Sequence, residues 1–230
     1  MLDIDEENYL LLETHHKMAA KRVAVAVGRF NPPTRGHYFV FDKLKSFIRK
    51  NPELKLQASP VVLIISGKNA QKDKHKNPLS AEDRIKFMKA SGKANGVLFV
   101  TASNVVEGFN ALRKYGFEPI AIAAGEERAS SYIEILDKYF NEDSGKKIKH
   151  YKVELPRENF SIANDNEASN KELLKKMKDD GYEPDIDEIS GSLAKLAVQM
   201  GYLDEFLKIT GLESNTELGK KMFNKIKEVI

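Results

Sequence analysis

Gly28-Arg29-Phe30-Asn31-Pro32-Pro33-Thr34-Arg35-Gly36-His37 stands between two stretches of different character. Before it, Val23-Ala24-Val25-Ala26-Val27 is apolar without a break. After it, Val40, Leu44, Phe47 and Ile48 fall at i, i+4, i+7 and i+8. The first pattern predicts a strand over 22–28, and the second a helix over about 36–50 that stops at Asn51-Pro52. The ten residues are the turn between them. Pro32-Pro33 stiffens it and forbids regular structure there. Gly28 and Gly36 let the backbone come close to a ligand at both ends. A helix opening near Gly36-His37 leaves free backbone N–H groups and the positive end of its dipole facing the turn, which suits a phosphate. Thr34 and His37 add donors to the same spot, and Arg29 adds a fixed positive charge.

The chain has 230 residues, 41% of them hydrophobic, enough for one sizeable core with an appendage. Net charge is +3, from 37 basic and 34 acidic residues, so charge gives no argument for a nucleic-acid partner. There is no Cys, which excludes disulfides, thiolate metal sites and a Cys nucleophile and fits a reducing compartment. No apolar run approaches the ~18 residues of a membrane span. Asp3, Asp5, Glu6 and Glu7 open the chain without an apolar core behind them, so no secretory signal is expected.

Taken in order, residues 1–20 read as a helix or arm. His15-His16 are adjacent, do not share a helix face, and read as a surface pair. Val61–Ile65, bounded by Pro60 and Gly67, predicts a strand buried on both faces. Lys68, Lys72, Lys74 and Lys76 follow it, either as a solvated mobile loop or as a basic flap beyond the carboxyl end of a strand. Ser80 reads as an N-cap with Asp83 as the acid at the third helical position. Val97–Val100 and Ile120–Ala124 predict strands. Asn104 caps a helix with Val105, Phe109 and Leu112 inward, and a helix after Gly125 carries Tyr132, Leu136, Tyr139 and Phe140. Alternation over 148–155 predicts a fifth strand near an edge. The core is therefore expected over 21–156.

Residues 157–230 form a helical C-terminal part. Its first stretch, 157–186, is polar and loop-rich, with a helix near 169–180 stopped by Gly181. In Ile189-Ser190-Gly191-Ser192-Leu193-Ala194-Lys195, Ser192 reads as the N-cap, with Leu193, Leu196, Ala197 and Met200 as the apolar face behind it. A last helix over about 215–229, with Leu218, Met222, Ile226 and Val229 on one side, packs on the core or against a second subunit, which leaves a homo-oligomer open.

The turn resembles the G-x-F-x-P-x-(H/T)-x-G-H motif of the nucleotidyltransferase superfamily, matched by Gly28, Phe30, Pro32, Thr34, Gly36 and His37. Thr34 stands where many members have His, as it does in phosphopantetheine adenylyltransferases. Lys76-Asn77-Pro78-Leu79-Ser80-Ala81-Glu82-Asp83-Arg84 is similar to the K-N-P-F-T-x-G-E-R segment of archaeal-type nicotinamide-mononucleotide adenylyltransferases, whose first motif also begins G-R-F. That likeness implies Arg84 as a phosphate ligand; otherwise it is a surface helix residue. Gly125-Glu126-Glu127-Arg128 resembles the G-S-D-R turn in Gly125 and Arg128 only. Ile189–Lys195 is similar to the second motif, I-S-x-(S/T)-x-x-R, with Lys195 where the family has Arg. The tail from there on also resembles uncharacterised phage-encoded members. Class I aminoacyl-tRNA synthetases share the H-x-G-H idea, but a K-M-S-K-S segment is missing here.

The alternation of strands and helices implies an α/β fold. The resemblance implies a Rossmann-like, doubly wound, parallel five-stranded sheet with a C-terminal helical extension. It also implies a cytoplasmic enzyme, in the host cytoplasm if phage-encoded. The reaction implied is transfer of a nucleoside monophosphate, AMP from ATP or CMP from CTP, to a phosphorylated small-molecule acceptor such as nicotinamide mononucleotide, with pyrophosphate released. Thr34 and His37 would bond the α-phosphoryl oxygens. Arg29, Lys195 and Arg84 would neutralise the outer phosphates. Ser190, Ser192 and the start of their helix would bind phosphate oxygens, beside Gly28, Phe30, Asn31, Gly36, Gly125, Arg128 and Ile189. Mg²⁺ would arrive with the nucleotide, since no carboxylate cluster suggests a resident metal. A cytidylyltransferase, another acceptor, or a nucleotide-binding protein without turnover are the alternatives.

Overall fold

A computed structural model describes residues 20–67, 72–140, 148–155 and 166–230. The expected N-terminal arm with His15-His16, the start of the lysine-rich segment and residues 156–165 lie outside them, as do the side chains of Tyr139 and Phe140.

Five strands pair in one all-parallel sheet: β1 Lys21–Gly28, β2 Val61–Ile65, β3 Leu98–Ala102, β4 Phe117–Ala123 and β5 Tyr151–Lys152. Their order is β3-β2-β1-β4-β5. The chain steps outward from β1 through β2 to β3, then returns to the other side of β1, so the winding reverses between β1 and β4. Such a reversal leaves a crevice beyond the carboxyl ends of those two strands. The central strands are β-branched or small and almost wholly buried, as strands covered on both faces must be. Pro119 has no N–H for the β1 ladder, and the register shifts just after it, where Ala24 pairs with Ala121. The fifth strand is shorter than the alternation predicts, with two residues in the ladder.

The helices are α1 Arg35–Lys50, α2 Ala81–Ala90, α3 Val105–Lys114, α4 Glu126–Phe140, α5 Glu167–Asp179, α6 Gly191–Gln199, α7 Leu203–Thr210 and α8 Thr216–Lys227. This is the expected α/β Rossmann-like architecture, with further helices after the sheet. None of the described helices is long and apolar enough to cross a membrane.

Two compact units divide the chain. One holds Met1–Arg29, Val40–Gly67 and Gly96–Pro156, and with them the whole sheet. Its core joins Val23, Val25, Val27, Leu63 and Ile122 to Phe109, Leu112 and Leu136 of the helices. The other holds Phe30–Phe39, Lys68–Asn95 and Arg157–Ile230. Its core is helical and joins Leu79 and Phe87 to Leu193, Phe206, Met222, Phe223 and Ile226. Compositional reading draws one boundary at residue 156. The backbone instead groups two earlier segments with the C-terminal helices.

Three local expectations need correction. Ser190, not Ser192, caps α6, its hydroxyl accepting from the Leu193 N–H at 3.0 Å. Met200 is the C-cap of that helix and is 37% exposed, so it does not extend the apolar face. The last helix turns Met222, Phe223 and Ile226 into the second unit's core, and of the expected face only Met222 and Ile226 are buried.

In the sheet unit, Gly108 lets α3 lie directly on β2: a Cβ there would sit 2.4 Å from Leu63 Cδ2. Leu63 is fully buried and has nowhere to move. Gly108→Val should therefore destabilise the fold by about 1–3 kcal/mol, the usual cost of overpacking, measured by urea unfolding against wild type.

Candidate functional site

Thr34 precedes α1, and its backbone N–H donates to His37 Nδ1 at 2.9 Å. An N–H can only donate, so Nδ1 is unprotonated and the ring proton sits on Nε2. The Thr34 hydroxyl, 3.0 Å from the same nitrogen, must then donate to it as well. This resembles half of a capping box, in which the third helical side chain reaches back to the N-cap amide. Phe30 closes in from another side, its ring centroid 4.9 Å from that of His37. Phe30 holds φ at 52°, a left-handed conformation uncommon for a bulky residue, and is itself buried. Burial lowers the His37 pKa from 6.5 to about 4. The imidazole is thus neutral at pH 7 and fixed in one tautomer. Its Nε2–H has no acceptor among the described residues.

Asn31 is 8% exposed. Its Nδ2 donates to the Leu79 carbonyl at 2.9 Å, and its Oδ1 accepts from the Leu79 N–H at 3.2 Å. Its carbonyl faces Gly191, where an added Cβ would come within 2.9 Å of that oxygen. The turn and the start of α6 are therefore in direct backbone contact.

The helix that follows this turn and the helix that starts against it share an electrostatic feature. Neither α1 nor α6 has an acid in its first turn. Among the described residues α2, α3, α5, α7 and α8 each have one or two: Glu82 and Asp83, Glu107, Glu167, Asp204 and Glu205, and Glu217. Acids there offset the dipole and the unsatisfied N–H groups. At α1 and α6 that compensation is left to something else.

Lys195 is the fifth residue of α6, not in its first turn, because the cap is Ser190. Its Nζ donates to the Lys76 carbonyl at 2.9 Å. Lys76 belongs to a turn built on Asp73, whose carboxylate accepts from the Lys76 N–H at 3.1 Å and pairs with its ammonium at 3.6 Å. The described part of the lysine-rich segment is thus a hydrogen-bonded turn rather than a featureless loop.

Arg84 is 2% exposed, so it is not a surface helix residue. Its Nε donates to the Ser80 carbonyl at 3.0 Å. Ser80 caps α2, accepting from Asp83 N–H at 3.0 Å, as the sequence predicts. Asp83 also meets Lys225 of α8 at 2.5 Å. Partial burial works against ionising Asp83, but Lys225 and the Ser80 hydroxyl outweigh it and hold the carboxyl below its usual range.

Of the predicted site residues, Phe30, Asn31, Thr34, Gly36, His37, Arg84, Ile189, Ser190, Ser192 and Lys195 lie in the helical unit, and Gly28, Arg29, Gly125 and Arg128 in the sheet unit. There Gly28 ends β1 and Gly125 precedes α4, its carbonyl accepting from Ala129 N–H at 2.8 Å. Burial raises the Tyr132 pKa, while the charges of Arg128 and Arg29 pull it back, so both arginines lie near one phenol. Sequence reasoning did not single out Leu79 or Gly191. Gly191, a glycine between two cap-forming serines, carried a usable signal.

A profile of the cytidylyltransferase-like family matches residues 25–180, and the chain belongs to that family. No curated protein matches the chain. Membership points to nucleotidyl transfer from a nucleoside triphosphate with Mg²⁺.

The depressed pKa of His37 has a consequence for stability. A neutral imidazole in the fold against one of pKa 6.5 in the unfolded chain gives a contribution that is complete above 6.5 and lost as pH falls toward about 4. The loss should reach up to about 3 kcal/mol. His37→Gln, which keeps an acceptor for the Thr34 N–H, should lack that component when urea unfolding is compared at pH 7 and pH 4.

Proposed function

We propose that this member of the cytidylyltransferase-like family transfers AMP from ATP to a phosphorylated small molecule, with nicotinamide mononucleotide the first acceptor to test. The observation that carries the reading is a neutral, tautomer-locked His37 at the acid-free start of α1, on a turn that also touches the acid-free start of α6. In the reaction, an acceptor phosphate oxygen attacks the α-phosphorus in line. The bond to the α–β bridging oxygen breaks, and pyrophosphate leaves. Such chemistry needs positioning and charge stabilisation rather than a covalent intermediate.

The His37 Nε2–H donates to an α-phosphoryl oxygen. Thr34 acts through the ring, since its N–H and O–H both point to Nδ1. The first N–H groups of α1 and α6, with Gly36, Gly191 and the Ser192 hydroxyl, line the phosphate path, while Ser190 is occupied as the cap. Lys195 exchanges the Lys76 carbonyl for a β- or γ-phosphate oxygen. Arg84, buried on the Ser80 carbonyl, holds α2 and takes part in phosphate binding only if its cover moves. No three His, Asp or Glu side chains gather as a metal cage among the described residues. Mg²⁺ would come with the triphosphate as part of the substrate.

The preference for ATP rests on Gly28-Arg29-Phe30 and Lys76-Asn77-Pro78, as they stand in the sequence. Pyrophosphate release should be measured from ATP and CTP with a panel of phosphorylated acceptors. NAD as product supports the reading, and dephospho-coenzyme A or a CDP-alcohol points to the alternatives. A melting shift with ATP and no pyrophosphate from any pair would leave a binding protein. In the productive pair His37→Ala should cut turnover by ~10²–10³, the usual loss for one transition-state donor, with the melting temperature still cooperative.

A further inference from the structure

We propose that Asn31 is a positioning residue that holds the start of α6, and the Lys76 turn on which Lys195 rests, against the segment that leads to His37, without itself touching the nucleotide. The inference rests on the reading of Lys195 as a phosphate ligand given above.

Asn31 is held between two segments far away in sequence. Both ends of its carboxamide are engaged by the backbone of one residue, Leu79. Leu79 is 2% exposed, and it lies just before α2, so its N–H and C=O have no ladder or helix to satisfy them. Buried backbone groups of this kind need a partner, and Asn31 is that partner for both. Three residues before Leu79 is Lys76, whose carbonyl takes the Lys195 ammonium at 2.9 Å. Four residues before Lys195 is Gly191, whose backbone presses on the Asn31 carbonyl.

The contacts close a loop: Asn31 to Leu79, back along the chain to Lys76, across to Lys195, down α6 to Gly191, and back to Asn31. Every link is a hydrogen bond, a short piece of backbone or a close packing contact. Before a phosphate arrives, Lys195 is held at both its helix root and its ammonium, and each contact leads to Asn31; when the ammonium moves to a phosphate, the helix root is still held. Six residues further on is His37. A polar side chain already committed at both ends offers a ligand little; its position at the junction accounts for an amide there.

The test is a double-mutant cycle read by calorimetry, with Mg²⁺ and inorganic tripolyphosphate as the probe, so that neither base nor acceptor matters. The proteins are wild type, Asn31→Ala, Lys195→Met and the double variant, with circular dichroism and thermal melting alongside. Asn31→Ala should weaken tripolyphosphate binding about tenfold in wild type and less than about twofold in the Lys195→Met background, the coupling expected of groups that act as one unit. If Asn31→Ala does not fold, Asn31→Ser, which keeps a hydroxyl for one Leu79 group, carries the same cycle. An equal loss in both backgrounds would overturn the proposal and make Asn31 a direct ligand. A lowered melting temperature with unchanged affinity would overturn it too, leaving a purely structural amide. If Lys195→Met alone leaves tripolyphosphate affinity unchanged, the assignment of Lys195 to the phosphates fails, and this inference falls with it.

Discussion

The backbone of Leu79 is buried where no regular structure can satisfy it, and the Asn31 carboxamide meets both of its needs. An unpaired buried donor or acceptor costs roughly 1–3 kcal/mol, so this pair constrains where the turn after β1 sits relative to the start of α2. The consequences run through adjacent residues. Ser80 follows Leu79 and caps α2; its carbonyl holds Arg84 and its hydroxyl meets Asp83. Asp83 in turn ties α2 to Lys225 on the last helix. The helical unit is thus organised by a chain of cap and backbone hydrogen bonds reaching from the turn to the C-terminal helix. Its apolar core provides bulk stability, but core packing alone would tolerate small slips that this chain forbids.

Electrostatics adds what hydrogen bonding leaves open. The starts of α2, α3, α5, α7 and α8 are balanced by an acid in the first turn, and those of α1 and α6 are not. The α1 helix is otherwise well matched to its dipole, with Arg49 and Lys50 in the last turn. An anion between the two starts would supply the missing compensation at both. The second-turn place of Lys195 fits the same logic. In the first turn its ammonium would oppose the dipole most strongly, whereas at the fifth position it reaches over the helix start to the Lys76 carbonyl.

Much of this was legible in the sequence because it depends on local pattern. The four longer strands and the caps at Ser80 and Asn104 follow from unbroken apolar runs and from cap residues ahead of periodic ones. The family follows from the turn after β1, which lies inside the matched residues. What was not legible depends on partners distant along the chain. Asn31 and Leu79 are 48 residues apart, and Lys195 and Lys76 are 119 apart, with no periodicity linking them. The choice between Ser190 and Ser192 as cap was locally balanced, since either serine can accept from an amide three residues on. It is decided by Gly191, whose missing side chain lets the helix begin against the Asn31 carbonyl. The grouping of 30–39 and 68–95 with the C-terminal helices was hidden for the same reason: Leu79 and Phe87 look like residues of the sheet's connections until their contacts are known.

The neutral state of His37 then bears on how the proposed reaction divides its work. An imidazolium would attract the triphosphate of the bound substrate as strongly as the transition state, and uniform binding of that kind does not speed the chemical step. A neutral ring locked by Thr34 and packed against Phe30 gives a directional Nε2–H instead. It costs no reorganisation and bonds most strongly where charge builds up on an α-phosphoryl oxygen. In the proposed reaction general attraction is left to other groups, Lys195 among them. If His37 meets the α-phosphate as proposed, separating the two tasks accounts for a histidine buried enough to lose its charge there, when an exposed one would have bound the substrate more tightly.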